Sequence, residues 1–137
     1  MMDADAVIAM TLVELPGEYQ PLLLTFQRGG AARQSGGLVA IGSDFGTTLY
    51  CDPADGRVLS VDDSGRLPTR FVNSSIAQLA ACLSVYERAR EALAAGSPGG
   101  DDVEVLRSRL TRADAVALAD PEHWWSLIVE QVEAGLL

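Results

Sequence analysis

The chain has 137 residues, 48% hydrophobic and 21% charged, a composition that suits one globular domain over 1–137 and excludes a disordered chain. Nineteen acidic against ten basic residues leave a formal charge of −9. That balance argues against a nucleic-acid partner, because a phosphate backbone wants a basic face. Acidity of this kind either serves solubility, the commoner reason, or marks a basic protein partner whose encounter it speeds.

Met1 to Asp5 is acidic where a signal peptide would be basic, and the apolar run Ala6 to Val13 is too short to cross a bilayer. A cytoplasmic protein with no membrane partner is expected. Val7, Ile8, Leu12 and Val13 favour a strand by composition, whereas Ile8 and Leu12 share a helix face that Asp3 or Asp5 would cap. The reading leans towards a helix over 4–14. Leu22 to Arg28 alternates as a strand with one buried face, and Gly29 to Gly37 reads as a flexible loop. Leu38 to Ile41, Thr47 to Cys51 and Val58 to Val61 are three short apolar runs. Gly46 closes the first turn between them, and Asp52-Pro53-Ala54-Asp55-Gly56 makes the second, so an antiparallel meander is expected. In the middle run Thr47, Leu49 and Cys51 face one way, and Thr48, Tyr50 and Asp52 form a wetter face. Helices therefore belong on one side of the sheet.

A polar turn over Asp62 to Pro68 precedes the short strand Arg70 to Val72. At Ser75 the apolar period changes from two to 3.6. Ser75 and Gln78 fit a capping box, and Ile76, Leu79, Ala80, Leu83, Tyr86 and Leu93 form a core-facing stripe. Gly96 to Gly100 ends this helix in a loop. Asp101 with Glu104 opens the next one, whose stripe is Val103, Leu106 and Leu110. Asp114 to Ala119 reads as a continued helix or a connection. Asp120-Pro121 signals a further helix start, with Trp124, Leu127, Ile128 and Gln131 on one face and Gly135 at its C-terminal end.

Several of these stretches together resemble the fourth subgroup of the SUKH superfamily of bacterial immunity proteins. The resemblance rests on Ile41-Gly42-Ser43-Asp44, on the hairpin from Leu49 to Val58, on Phe71-Val72-Asn73-Ser74-Ser75 running into a helix, and on Tyr86-Glu87-Arg88. The pair Trp124-Trp125 and Gly135 match the subgroup's C-terminal end, and Leu15-Pro16 matches the step that closes its first helix. The resemblance implies a protein that binds a toxin, often a nuclease or deaminase, and blocks its active surface without catalysis. It also implies that the N-terminal helix is shortened here.

The residues themselves offer no reactive constellation. His123 is the one histidine, read as an exposed helix-start residue; Cys51 could be a nucleophile only if His123 came near it, and nothing in the sequence suggests so. One histidine and two scattered cysteines do not supply a zinc site, and Cys51 and Cys82 read as reduced and buried. A phosphate loop is missing its motif and its lysine, and the aspartates lack calcium-loop spacing. No catalytic residue, metal or cofactor is expected.

Asp44, Asp52, Asp55, Asp62 and Asp63 cluster around the hairpin turns. Ordinary turn chemistry explains them, and the functional alternative is an acidic edge that docks a basic protein surface. Trp124 and Trp125 point about a hundred degrees apart on a helix. Both cover the core, or Trp125 lies at a rim and joins the interface. The candidate partner-binding set is thus Asp44, Asp52, Asp55, Asp62, Asp63 and Trp125. The expected architecture is α+β: a mostly antiparallel sheet with helices packed on one face and concentrated in the C-terminal half. The expected function is that of a monomeric immunity protein. The competing reading is an acidic secretion chaperone, a stable dimer that holds an effector segment.

Overall fold

A computed structural model of the chain describes residues 3–19, 22, 24–26, 34–44, 46–94 and 100–135. Asp3 starts the first helix, α1 (Ala4–Glu14), by accepting the N–H of Ala6 at 2.8 Å, so the helix reading of this segment is the right one. Val7 and Thr11 bury one side of it. The Thr11 hydroxyl donates back to the Val7 carbonyl at 2.8 Å, which removes the polar cost of burying a threonine.

Among the described residues seven strands follow: β1 (Glu18–Tyr19), β2 (Leu24–Phe26), β3 (Gln34–Ser35), β4 (Leu38–Asp44), β5 (Thr47–Cys51), β6 (Val58–Asp62) and β7 (Arg70–Asn73). All pair antiparallel in the order β1-β2-β4-β5-β6-β7, with β3 against the start of β4. Gly46 and Gly56 hold φ of 81° and 84°, the left-handed backbone that the two hairpin turns need. Gly42 has a different reason. A Cβ there would sit 2.7 Å from the Thr25 carbonyl oxygen, so only glycine lets β2 close on β4 beside the β4 bulge. Leu22, Leu24 and Phe26 are buried as their alternation requires. Of the loop expected over Gly29 to Gly37, residues 29–33 lie outside the described residues. Its end is a small hairpin instead, with β3 turning through Gly36 and Gly37 into β4.

The helices are α2 (Ile76–Ala94), α3 (Gly100–Ala113) and α4 (Trp124–Glu133), with a 3₁₀ turn over Ala115–Leu118 between the last two. At the start of α2, Ser75 Oγ accepts the Gln78 N–H at 3.1 Å and donates to Gln78 Oε1 at 2.9 Å. Half of the expected capping box is therefore formed, and the glutamine holds the serine rather than its backbone. Ile76, Leu79, Leu83 and Tyr86 are buried; the side chains of Leu93 and Asp101 lie outside the described ones. Val103, Leu106 and Leu110 join the same core.

That core lies between the helices and the sheet face carrying Val39, Ile41, Leu49, Cys51, Val58 and Val72. Tyr19 ties β1 into it by donating its hydroxyl to the Leu83 carbonyl at 2.6 Å. The opposite sheet face is drier than expected. Thr48 and Tyr50 are buried there, because Tyr50 lies across from Ala40 and Leu59, and Leu59 across from Phe71, while the Thr48 hydroxyl donates to Asp63 Oδ1 at 2.6 Å.

The start of α4 also differs from expectation. Asp120 and Pro121 form a turn, with Asp120 Oδ1 accepting the Glu122 N–H at 2.8 Å. The extended backbone of His123 (φ −69°, ψ 150°) delays the helix to Trp124. His123 is half-buried rather than exposed, with its ring 4.8 Å from that of Phe71 and Nδ1 2.8 Å from the Val116 carbonyl oxygen.

Candidate partner-binding surface

The five aspartates separate into two groups at opposite ends of β5. Asp52 and Asp55 occupy the β5–β6 hairpin. Asp52 Oδ1 accepts the Ala54 N–H at 2.9 Å and Oδ2 meets Arg57 Nη2 at 3.3 Å. Asp55 accepts the Arg57 N–H at 3.0 Å and pairs with Arg57 Nε at 2.9 Å. One arginine thus answers both carboxylates. The Ala54 N–H, with Arg57 behind it, holds Asp52 below the usual carboxylate range.

Asp62 and Asp63 lie at the other end, where β6 finishes. Asp62 Oδ2 accepts the Leu67 N–H at 2.9 Å, the Arg66 N–H at 2.9 Å and the Ser64 hydroxyl at 2.8 Å. The Leu67 N–H and the Ser64 hydroxyl lead in keeping its pKa low. Asp63 is exposed, and its N–H donates to the Gly46 carbonyl at 2.8 Å, joining the two turns at this end. Asp44 ends β4 near the same place; its side chain lies outside the described ones. The aspartates therefore do not make one acidic edge. They form two rigid acidic ends, each carboxylate with a described side chain already engaged in local structure.

Trp125 is corrected outright. It is 0% exposed and offers a partner no surface. Its indole N–H donates to Asn73 Oδ1 at 2.8 Å, and its ring stands edge-on to Trp124 at 4.9 Å and to Tyr86 at 6.1 Å. Adjacent helical positions diverge, but here both neighbours have a wall to meet: the sheet end and α2 on one side, the floor of a groove on the other.

The residue that sequence reasoning missed is Asp114. It is 2% exposed, at the end of α3. Its Oδ2 accepts the Ser74 N–H at 2.7 Å and the Asn73 amide at 3.0 Å, and its Oδ1 accepts the Ser74 hydroxyl at 2.9 Å. The same Asn73 amide nitrogen lies 3.4 Å from Cys82 Sγ. Asn73, Ser74, Asp114 and Trp125 are one buried polar knot that locks the β7–α2 step to α3 and α4. Its signal in the sequence was a lone acid leading into the apolar stretch Ala115-Val116-Ala117-Leu118. The knot explains physically why asparagine and serine stand at this step, and it is structural.

Cys51 and Cys82 are free and buried, and burial pushes both thiols up to about 11. Among the described residues no group of histidine, cysteine and carboxylate side chains stands ready for a metal ion. No described helix is long and apolar enough to cross a membrane.

The described residues form a small α+β scaffold with acidic groups at both ends of its sheet. The family is settled by comparison: the model of the SUKH-4 immunity protein family matches residues 21–131, from the segment before β2 through most of α4. The chain belongs to the SUKH-4 immunity protein family. No curated protein and no solved structure matches it.

Proposed function

We propose that this protein binds one cognate bacterial toxin and neutralises it by covering its working surface, with no chemistry of its own. The observation that carries the reading is the family match across the sheet and the C-terminal helices. The toxin we infer is one that handles nucleic acid, a nuclease or a deaminase of a polymorphic toxin system. A cleft that holds phosphates is basic, and a chain of charge −9 is drawn to it and held. Asp44, Asp52, Asp55, Asp62 and Asp63 are the acidic contacts in this reading. Those with described side chains are braced by the turns, so little side-chain freedom is lost on docking. The protein acts as a single-domain monomer in the cytoplasm.

The test is co-expression with the C-terminal domain encoded by the neighbouring open reading frame. Restored growth together with a one-to-one complex on sizing supports immunity, and an association rate that falls as salt rises supports the electrostatic part. A toxic neighbour that this protein cannot relieve overturns the reading. A stable dimer that holds only an unfolded segment of the neighbour points instead to a secretion chaperone.

A further inference from the structure

A groove of about 260 Å³ runs between α4 and the Asp62 end of the sheet. Ser60, Asp62, Leu67, Trp124, Leu127 and Ile128 line it. This is the face of α4 that the sequence offers as its apolar stripe. The structure buries Trp125 and Val129 most deeply and leaves Leu127 and Ile128 half-covered over the groove.

Three features mark the groove as prepared for an occupant. Leu67 is 62% exposed, yet it sits on a loop that the Asp62 carboxylate ties down through Ser64, Arg66 and Leu67 itself. An exposed leucine held rigid is a ready contact, since little is lost in ordering it. Ser60 is only 5% exposed, and its hydroxyl makes no hydrogen bond to any described residue. Its oxygen is not among the buried atoms left without a partner, so it reaches water at the groove and is open to a ligand there. Asp62 Oδ1, finally, carries a single long contact, 3.3 Å from the Ser64 nitrogen, and has capacity to spare.

The charge of the groove selects the occupant. Arg70 also lines it, but its Nη1 donates to the Glu122 carbonyl oxygen at 2.8 Å and to Glu122 Oε2 at 2.9 Å, so that cation is answered within the protein. Arg66 is exposed beside Leu67 and does not line the groove. The carboxylate facing the space is Asp62. A purely apolar side chain would take water from the Ser60 hydroxyl and from Asp62 Oδ1 and give nothing in return, which is unfavourable, and an acidic one would be repelled. A long basic side chain satisfies every wall: its stem lies on apolar carbon while its head stays polar.

We propose that this groove receives one arginine or lysine side chain of the toxin. The stem packs on Leu67, Leu127 and Ile128, and the head is held by Asp62 Oδ1 and the Ser60 hydroxyl. The assignment rests on the immunity reading for the identity of the partner, and on the groove alone for the chemistry. It gives Asp62 a role that Asp52 and Asp55 do not share, because Arg57 already occupies those two.

Two measurements test it. In the first, the intact protein is titrated with Nα-acetyl-arginine amide, and then with the leucine and glutamate counterparts, while the methyl resonances of Leu67, Leu127 and Ile128 are followed. Shifts at these methyls with the arginine compound only are expected; shifts with none, or equally with all three, overturn the proposal. In the second, affinity for the neighbouring toxin domain is measured for variants whose fold is checked by circular dichroism. Leu127→Arg fills the groove from within and should weaken binding about a hundredfold, Asp62→Asn about tenfold and Ser60→Ala a few-fold, while Glu91→Gln, an exposed acid on α2 away from the groove, changes it less than twofold. Folded Leu127→Arg and Asp62→Asn proteins that bind within twofold of wild type overturn the proposal and leave immunity standing. A wild-type protein that responds to the arginine compound but neutralises no toxin overturns immunity and leaves the groove's preference standing.

Discussion

Asp114 and Asp52 both accept hydrogen bonds from backbone and side chain, and their surroundings give them opposite weight. Asp114 is enclosed at the junction of β7, α2 and α3, with three donors and no cation among its contacts. Asp52 stands at a hairpin tip, where Arg57 and the Ala54 N–H hold it in reach of water. Buried donors that lose their acceptor have nothing else to turn to, whereas exposed ones have the solvent. The difference teaches where the fold is vulnerable and where the surface is free to change.

The sharpest way to break the comparison is Asp114→Ala. It orphans the Ser74 N–H and weakens the hold on Asn73, and a loss of about 3 kcal/mol, lowering the thermal midpoint by roughly 10 °C, is expected in calorimetry. A midpoint unchanged within a degree or two would mean that water replaces the carboxylate and that burial does not set its weight. Trp125→Phe keeps an aromatic ring but removes the indole N–H and leaves unfilled space, for an expected loss of about 2 kcal/mol by chemical denaturation. Ser74→Ala removes one hydroxyl donor from the knot and should cost about 1 kcal/mol in the same assay.

The hairpin side should be far quieter. Arg57→Ala is expected to shift the denaturation midpoint by no more than the error of the measurement, since exposed ion pairs contribute little. Acid titration sharpens the contrast at its small end. Asp52 and Asp62 have pKa values lowered by their hydrogen bonds, so their contribution is complete above the ordinary carboxylate pKa of about 4 and fades as pH falls through the lowered folded values. Asp52→Asn should therefore flatten a shallow acid limb in the stability–pH curve. A limb that Asp52→Asn leaves unchanged would show that this hydrogen bonding is not coupled to folding.

Much of this architecture could be read from local signals. Gly46 and Gly56 ended strands where a left-handed residue was needed, and Ser75 with Gln78 announced α2. These features act over a few residues, so a sequence displays them directly. What stayed hidden depends on distant partners. β1 and β3 are two residues each, too short to show a period, and exist because β2 and β4 lie beside them. Asp114 read as part of an ambiguous connection because its partners are forty residues away. Trp125 reads as core or rim alike in the sequence, because nothing local says that Asn73 waits for its N–H. The aspartates were rightly tied to turns, but their division between the two ends of β5 follows from strand register and not from their spacing along the chain.

The order in which the polypeptide leaves the ribosome gives the Asn73 contacts a further meaning. Asn73 and Ser74 emerge with the last strand of the sheet, before Asp114 and well before Trp125 have been translated. Until Asp114 and Trp125 are in place, the Asn73 side chain and the Ser74 N–H lack the partners that the finished fold gives them. A chain cut before Trp125 therefore loses both the buried ring and the donor that answers Asn73, at the point where sheet and helices meet.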